Sequence, residues 1–446
     1  MRFVLTGLVL ALALPLSAQS GPTVGDLLAR VQASRLSRTV NRLVAFGTRH
    51  TLSDAVSDNH GIGATRRWLR GEFQSLTQLP GSRLVPFQDT FTAGPGPLLP
   101  KAVDQVNIGA WLPAADPNRA KQALVVTAHY DSRGTDPMNA GAAAPGAVDN
   151  GSGVAVVLEM ATVLAAEHPA VNVYFVATAA GVQGQLGAAR LAQRLKDDGV
   201  EVLGMVAVDR VGNTQGSDGS KDTNTVRLFS ESGVPAVESE GQRRLRGLLG
   251  TENDSPDREL ARYLRRAGEH FVDDLDCAVM LRRERIARES EAQVFAGFGW
   301  PAVLVTEMID NYDHLDQDLR STSGKAYGDS AAYFDPGYCA RITRMLVAGL
   351  RQLALAPEPP QNVGLGGLGG PDAKLWWTLP DDPRIKGIVV LRRRADALLW
   401  QQDRIFNPEE SQVLQGASPD SYVFAVATAD ADGDTSLPVI PRSVQY

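Results

Sequence analysis

Ala123-Leu-Val-Val-Thr-Ala-His-Tyr-Asp-Ser132 is the stretch on which the architecture turns. Its first six residues form a near-continuous apolar run of the kind buried on both faces inside a parallel sheet. The run ends on an imidazole and, two residues later, a carboxylate. The same unit recurs outward along the chain. Residues 153–166 read as an apolar helix, 171–178 as a second strand, 187–196 as a helix, 202–208 as a third strand, 301–306 as a fourth and 336–355 as a long helix. Strand–helix alternation of this kind implies an α/β fold: a mixed, largely parallel sheet with helices on both faces. Ligands of such sheets gather beyond the carboxyl ends of the strands.

Upstream, residues 24–79 show apolar positions at helical spacing. A Pro/Gly-rich loop (92–100) and an alternating strand (103–112) come next. Downstream, 357–372 is rich in Pro and Gly and reads as a linker. Residues 373–446 contain short strands near 374–377, 385–393 and 422–429, with a turn at 430–434, and suggest a small β-sandwich. The polar, Gly-rich stretch 213–257 reads as an insertion, and the arginine-rich stretch 282–288 as a solvated helical face.

The chain has 446 residues, enough for more than one domain and a large core. Residues 1–18 have the form of a secretory leader: Arg2, an apolar stretch to Leu16, and the small pair Ser17-Ala18 before Gln19. That stretch is too short to span a bilayer, and no other segment is continuously apolar for long enough. The mature protein is therefore expected to be secreted or periplasmic, with no transmembrane segment. The formal net charge of −7 argues against nucleic acid as a partner. There are two cysteines, Cys277 and Cys339. An oxidising compartment would allow them to pair, and spacing alone leaves both states open.

The strand-end rule gives four residues their meaning. His129 follows the first strand, Asp209 ends the third, and His314 lies in the loop after the fourth. Asp149 sits in Ala144-Pro-Gly-Ala-Val-Asp-Asn-Gly-Ser-Gly153, where a loop enters a helix that Asn150 and Ser152 can cap. Imidazole nitrogen and carboxylate oxygen are zinc donors, and a hydrolytic site keeps one position open for water. Asp131, two residues beyond His129, is placed to orient that imidazole. His50, His60, His168 and His270 lack such placement and read as ordinary polar residues. Asp209 taken alone is a common strand-end aspartate; its position on the neighbouring strand is what recruits it.

These segments resemble the zinc aminopeptidase family that includes bacterial leucyl aminopeptidases and, more distantly, the transferrin receptor ectodomain. The resemblance runs from about residue 38 to 356. It is carried by His129-Tyr-Asp-Ser-Arg133, the 144–153 string, Val211-Gly-Asn-Thr-Gln-Gly-Ser-Asp-Gly219, Glu252-Asn-Asp-Ser-Pro256, Gly299-Trp-Pro-Ala-Val303, Glu307 and Asn311-Tyr-Asp-His314. The tail resembles the fibronectin type III-like module of some exported relatives. The resemblance implies that His129 and Asp209 bind one zinc, His314 the other, and that Asp149 bridges them.

The chain departs from that pattern at several positions. The family carries Glu-Glu in a string like Ala-Thr-Ala-Gly-Glu-Glu-x-Gly-x-x-Gly, the first as general base and the second as zinc ligand. Here the string is Ala177-Thr-Ala-Ala-Gly-Val-Gln-Gly-Gln-Leu-Gly187, so Gly181 and Val182 stand in those places, with Gly184 and Gly187 holding the register. Related exported members also carry an Asp-His pair where this chain has Glu291-Ala292, and Arg210 follows Asp209 where an apolar residue is usual. Losing a general base alone lowers a rate by roughly 10²–10⁴. The resemblance thus implies a degenerate member: one zinc in place of two, and a cleft that binds a peptide or a protein partner. Two other readings stay open: a single-zinc aminopeptidase with Glu291 or Glu307 recruited as base, and a structural protein whose β-sandwich carries the function.

Overall fold

The computed structural model describes residues 22–231, 238–284 and 290–445. The expected leader (1–18) and residues 285–288 of the arginine-rich stretch lie outside them. The centre is an eight-stranded sheet of order β1-β2-β4-β3-β5-β8-β6-β7. Its strands are β1 (Val85–Ala93), β2 (Val103–Leu112), β3 (Gln122–His129), β4 (Asn172–Thr178), β5 (Glu201–Val208), β6 (Thr225–Ser230), β7 (Asp276–Met280) and β8 (Ala302–Glu307). The inner four, β4-β3-β5-β8, run parallel. Antiparallel strands flank them: β2 pairs with β4, β1 with β2, and β6 with β8, while β7 lies parallel to β6. The sheet is therefore mixed and largely parallel at its centre, as expected.

The helices are α1 (Val24–Ala29), α2 (Ala33–Ala45), α3 (Gly61–Leu76), α4 (Gly153–Leu164), α5 (Leu186–Asp197), α6 (Glu240–Leu249), α7 (Pro256–Phe271), α8 (Glu291–Gly297) and α9 (Pro336–Leu355). Side chains alternate along β3. Leu124, Val126 and Ala128 join the core under α2, α4, α7 and α9, whereas Ala123 and Val125 join the smaller core under α5 and α8. Burial on both faces is why the run is apolar at every step, and each large side chain so buried contributes about 1.5–3 kcal/mol. Residues Ala147–Leu164 are long and apolar enough to cross a membrane by composition, but 94% of that stretch is buried inside the fold. It is a core helix.

Two sequence expectations need correction. The stretch 213–257, read as an insertion, contains β6. Thr225-Val-Arg-Leu-Phe-Ser230 alternates at its start, burying Val226 and Leu228 in the large core with Leu260 and Leu264 of α7, and its polar surroundings masked that alternation. Residues 357–372, read as a linker, contain the strand β11 (Gln361–Gly366). Val363 and Leu365 point inward there, and the glycines that made the stretch look flexible serve close packing: a Cβ on Gly364 would lie 2.2 Å from the Trp376 ring.

After β8 comes a hairpin, β9 (Arg320–Thr322) and β10 (Lys325–Tyr327). Beyond α9 the strands β12 (Ala373–Thr378), β13 (Gly387–Arg394), β14 (Gln402–Phe406), β15 (Ser411–Leu414), β16 (Tyr422–Ala429) and β17 (Ser443–Gln445) join β11 in two sheets, β15-β12-β11-β17 and β14-β13-β16. Both sheets contribute to one apolar cluster, Leu365, Leu375 and Trp377 from the first and Ile388, Val390 and Phe424 from the second. This C-terminal unit is tied to α7. Buried Asp254 accepts from Arg262 (2.7 Å) and from Arg393 (2.6 Å), and Trp400 Nε1 donates to Glu259 at 2.7 Å. Cys277 and Cys339 are both buried free thiols. Burial pushes Cys277 up to about 12 and Cys339 higher still.

Candidate metal centre

His129 closes β3 and is 2% exposed. Asp209 follows β5, with its amide fixed to the Val305 carbonyl at 3.0 Å. Asp149 lies in the irregular turn ahead of α4, where the Asp149–Asn150 peptide bond is cis. The Asn150 side chain joins this turn to β5, donating to the Val208 carbonyl (2.8 Å) and accepting from Gly153 (3.0 Å). Asn150 thus caps α4 as expected. Ser152 does not; its hydroxyl donates to the Val148 carbonyl and accepts from the Val211 amide.

Three of the four expected ligands converge. His129 Nε2 lies 3.4 Å from Asp149 Oδ1 and 3.7 Å from Asp209 Oδ1. Donor atoms on a tetrahedral zinc with bonds near 2.0–2.1 Å are roughly 3.3–3.4 Å apart, so the first spacing matches and the second lies a few tenths of an ångström beyond it. Among the described residues, His129, Asp149 and Asp209 form the group whose donor atoms all lie within 4.8 Å of one another. His314 stands outside that group. It lines the same cavity as Asp149, but its ring is stacked on Tyr333 with centroids 3.5 Å apart, and its buried Nδ1 has no hydrogen-bond partner. Burial draws its basicity below the ordinary histidine range.

The other ring nitrogen of His129 is positioned as the sequence suggested, with one difference. Nδ1 lies 3.1 Å from the backbone oxygen of Asp131 and 3.5 Å from its carboxylate. The Asp131 carboxylate is held elsewhere: Oδ1 accepts from the Gly181 amide (2.9 Å) and Oδ2 from the Val182 amide (3.0 Å). Asp131 therefore couples His129 to the loop that carries Gly181 and Val182. Burial disfavours a charge on His129, yet the carboxylates of Asp131, Asp149 and Asp209 more than offset it and raise its pKa well above the ordinary value. That excess of negative charge around one imidazole is what a cation would neutralise.

The 181–182 loop is packed tightly against His129. A Cβ on Gly181 would lie 2.4 Å from His129 Cβ and 2.5 Å from its Cγ. Ala180 and Gln185 adopt left-handed backbone (φ 53° and 59°), and Gly184 has φ 100°. Glu291, one candidate replacement base, accepts from the hydroxyls of Thr127 (2.9 Å) and Thr178 and is 4% exposed. Burial lifts its carboxyl to about 7. Glu307, the other, lines the cavity, but its Oε2 accepts from the Gly212 and Asn213 amides at 3.1 and 2.7 Å, and burial pushes its carboxyl well above the usual range.

Sequence reasoning missed several supporting residues. Asp329 accepts from the amides of Val148 (2.8 Å) and Asp149 (2.7 Å) and so fixes the Asp149 turn. Arg49, fully buried, donates to the carbonyls of Tyr130 (2.8 Å) and Gly146 (2.9 Å), tying the His129 segment to the Asp149 segment. Neither follows a strand or sits in a motif, so no local signal marks them. The cavity adjoins a wider groove of about 590 Å3 through Asn213, Asn311, His314 and Tyr333.

The sequence profile of peptidase family M28 matches residues 107–318. A protein of Pyricularia oryzae described as a probable zinc metalloprotease is 35% identical over 422 residues, covering 93% of this chain and 83% of its own length. A protein of Leptosphaeria maculans with the same description is 33% identical, covering 92% and 95%. Among solved structures, the LapA aminopeptidase of Legionella pneumophila superposes with a TM-score of 0.51 at 18% identity, covering 74% of each chain. An aminopeptidase from Aneurinibacillus sp. strain AM-1 gives 0.50 at 13%, covering 75% of this chain and 96% of its own. Identity this low speaks for the fold alone, but the sequence relatives extend over most of the chain and the His–Asp–Asp cluster is suited to zinc, so the chain belongs to peptidase family M28, a family of zinc exopeptidases.

Proposed function

We propose that this chain is an exported peptide-binding protein on a zinc exopeptidase frame, with peptide hydrolysis lost or much reduced. The observation that carries the reading is the 181–182 loop, where no carboxylate exists and Gly181 is packed against His129 with no room for a side chain. Zinc would be held by His129, Asp149 and Asp209, one ion rather than two, because Val182 supplies no oxygen and His314 lies outside the cluster of donors. When bound, zinc supplies Lewis-acid polarisation of a carbonyl and a lowered pKa for water.

The chain's own residues set the limits on reaction at this cluster. Asp131 and the Asp131 backbone keep His129 Nε2 facing the cluster. Asp329 and Arg49 hold the Asp149 turn in place. A hydrolytic cycle needs a further group within about 2.6–3.2 Å of the attacking water to take its proton and pass it to the leaving amine. Gly181 and Val182 cannot do this. Glu291 faces the hydroxyls of Thr127 and Thr178 rather than the cavity, and Glu307 is anchored to two backbone amides. Binding does not need that group, and the groove beside the cavity is wide enough to receive a peptide segment.

The leader at 1–18 supports export, and the C-terminal unit we take as fibronectin type III-like. The experiment is turnover of aminoacyl-nitroanilides and short peptides by the zinc-loaded full-length mature chain, beside calorimetric binding of the same peptides. Binding without turnover above buffer is expected. Zinc-dependent turnover in the range ordinary for enzymes, about 1–10³ s⁻¹, overturns the reading in favour of a single-zinc aminopeptidase.

A further inference from the structure

We infer that Arg210 is the second cation of this site: its buried guanidinium takes the place beside Asp149 that a second divalent ion would need. The inference rests on the reading that His129, Asp149 and Asp209 hold zinc. Arg210 directly follows Asp209 and is 1% exposed. It adopts left-handed backbone, φ 56°, unusual for a residue with a Cβ. That conformation is locked from both sides: its amide donates to Asn150 Oδ1 at 3.3 Å, and its carbonyl accepts from the Glu307 amide at 2.8 Å and the Thr306 hydroxyl at 3.2 Å.

The guanidinium lines the cavity that Asp149 and His314 also line. Nη2 pairs with Glu284 at 2.8 Å, while Nε and Nη1 are buried with no hydrogen-bond partner. Its charge is opposed by Asp209, Glu284, Asp149 and Asp310. A buried cation with two donors unmatched persists where surrounding carboxylates hold it. One of them, Asp149, is the carboxylate that would also draw a second metal. A guanidinium stays charged at any pH the protein meets and, unlike a metal ion, cannot be lost. Any second ion beside Asp149 meets this fixed positive charge as well as the missing donor at Val182. The substitution at 182 and the arginine at 210 are thus two parts of one conversion, from a two-metal site to a metal–guanidinium site.

The test is metal stoichiometry. Zinc content is read by plasma mass spectrometry after gel filtration from excess zinc, and cobalt(II) titration of metal-free protein is followed by its visible absorption. Wild type is expected to hold one equivalent. Val182→Glu, which returns an oxygen donor and leaves Arg210 untouched, is expected to remain at one. Val182→Glu combined with Arg210→Met is expected to reach two. Two equivalents in wild type or in Val182→Glu alone overturns the inference, as does one equivalent in a double variant whose circular dichroism matches wild type. If the double variant does not fold, Val182→Glu alone decides. Two metals in Val182→Glu with one in wild type removes only the role of Arg210, leaving the one-zinc reading intact. Turnover by a one-metal wild type removes only the proposed loss of hydrolysis.

Discussion

Gly181 is the position at which a single methyl group tests the packing of the 181–182 loop most sharply. Returning a glutamate there is the obvious way to revive a hydrolase, yet the geometry says the simple change fails. A Cβ at 181 would sit 2.4 Å from His129 Cβ, 2.5 Å from Cγ and 3.0 Å from Cδ2, well inside van der Waals contact. Relief would require moving the loop, but the Gly181 and Val182 amides are bonded to the Asp131 carboxylate at 2.9 and 3.0 Å. Hydrogen bonds to a charged group contribute about 1.5–3 kcal/mol each. Relief could come instead from moving His129, at the expense of its alignment with Asp149 and Asp209. Gly181→Ala is the minimal perturbation. Overpacking of this kind costs typically 1–3 kcal/mol. For a chain of this length about 1 kcal/mol corresponds to roughly 1 °C in Tm, so metal-free Gly181→Ala should melt about 1–3 °C lower. The larger signal is in zinc. A displaced His129 should weaken binding at least about tenfold, the equivalent of about 1.4 kcal/mol. Differential scanning calorimetry with and without zinc, and competition titration against a chelating dye, measure both. Gly71→Ala is the control, since nothing lies within 4 Å of the added methyl. Wild-type stability and wild-type zinc affinity in Gly181→Ala would refute the reasoning, as would strong peptidase activity in Gly181→Glu alone.

The neighbouring contacts lead to further outcomes. Asp131→Asn keeps the shape but weakens the hold on the 181–182 loop and on His129, and should lower zinc affinity about 10–100-fold by the same dye competition. Glu291 binds its proton more tightly folded than unfolded, so its contribution to stability is complete below the ordinary carboxyl range near 4.5 and disappears as pH rises through about 7. Urea denaturation of the metal-free protein should show that fall, at most about 3 kcal/mol, and Glu291→Gln should flatten it. Arg393→Met leaves buried Asp254 with one of its two arginines and should cost about 1.5–3 kcal/mol, the contribution of a hydrogen bond to a charged group, measured by the same denaturation. Cys277 and Cys339 should react with a thiol reagent only after unfolding, since both are buried and their thiols are pushed to high pKa.

Much of the fold and part of the site are legible in the chain. β3, β4, β5 and β8 are largely apolar because helices cover both sheet faces, and residues at the ends of those strands come together by topology. His129 and Asp209 are found that way, and Asp149 by the unusual string in which a loop enters a helix. His314 is found by the same rule but is not among the clustered donors. Its place depends on a long loop after β8 and on stacking against Tyr333, neither of which has a period or a spacing to read. Arg49 and Asp329 act on backbone amides and carbonyls distant in sequence, and a polar residue doing that looks like any other. β6 and β11 are hidden by composition: polar neighbours in one case, glycines in the other. The significance of Gly181 and Val182 is visible only against a family pattern. That Gly181 lies against His129 with no room for a Cβ needs coordinates.

Whether a peptide bound at this cluster survives is the most direct question to put to the protein. Zinc-loaded protein in stoichiometric excess over a mixture of short peptides, quenched from milliseconds to hours and read by mass spectrometry, separates cleavage from slow product release. Intact peptides over the full course, with the same peptides retained on the protein through gel filtration, are the predicted result. A zinc-dependent burst of shortened peptides with their freed terminal residue would contradict it.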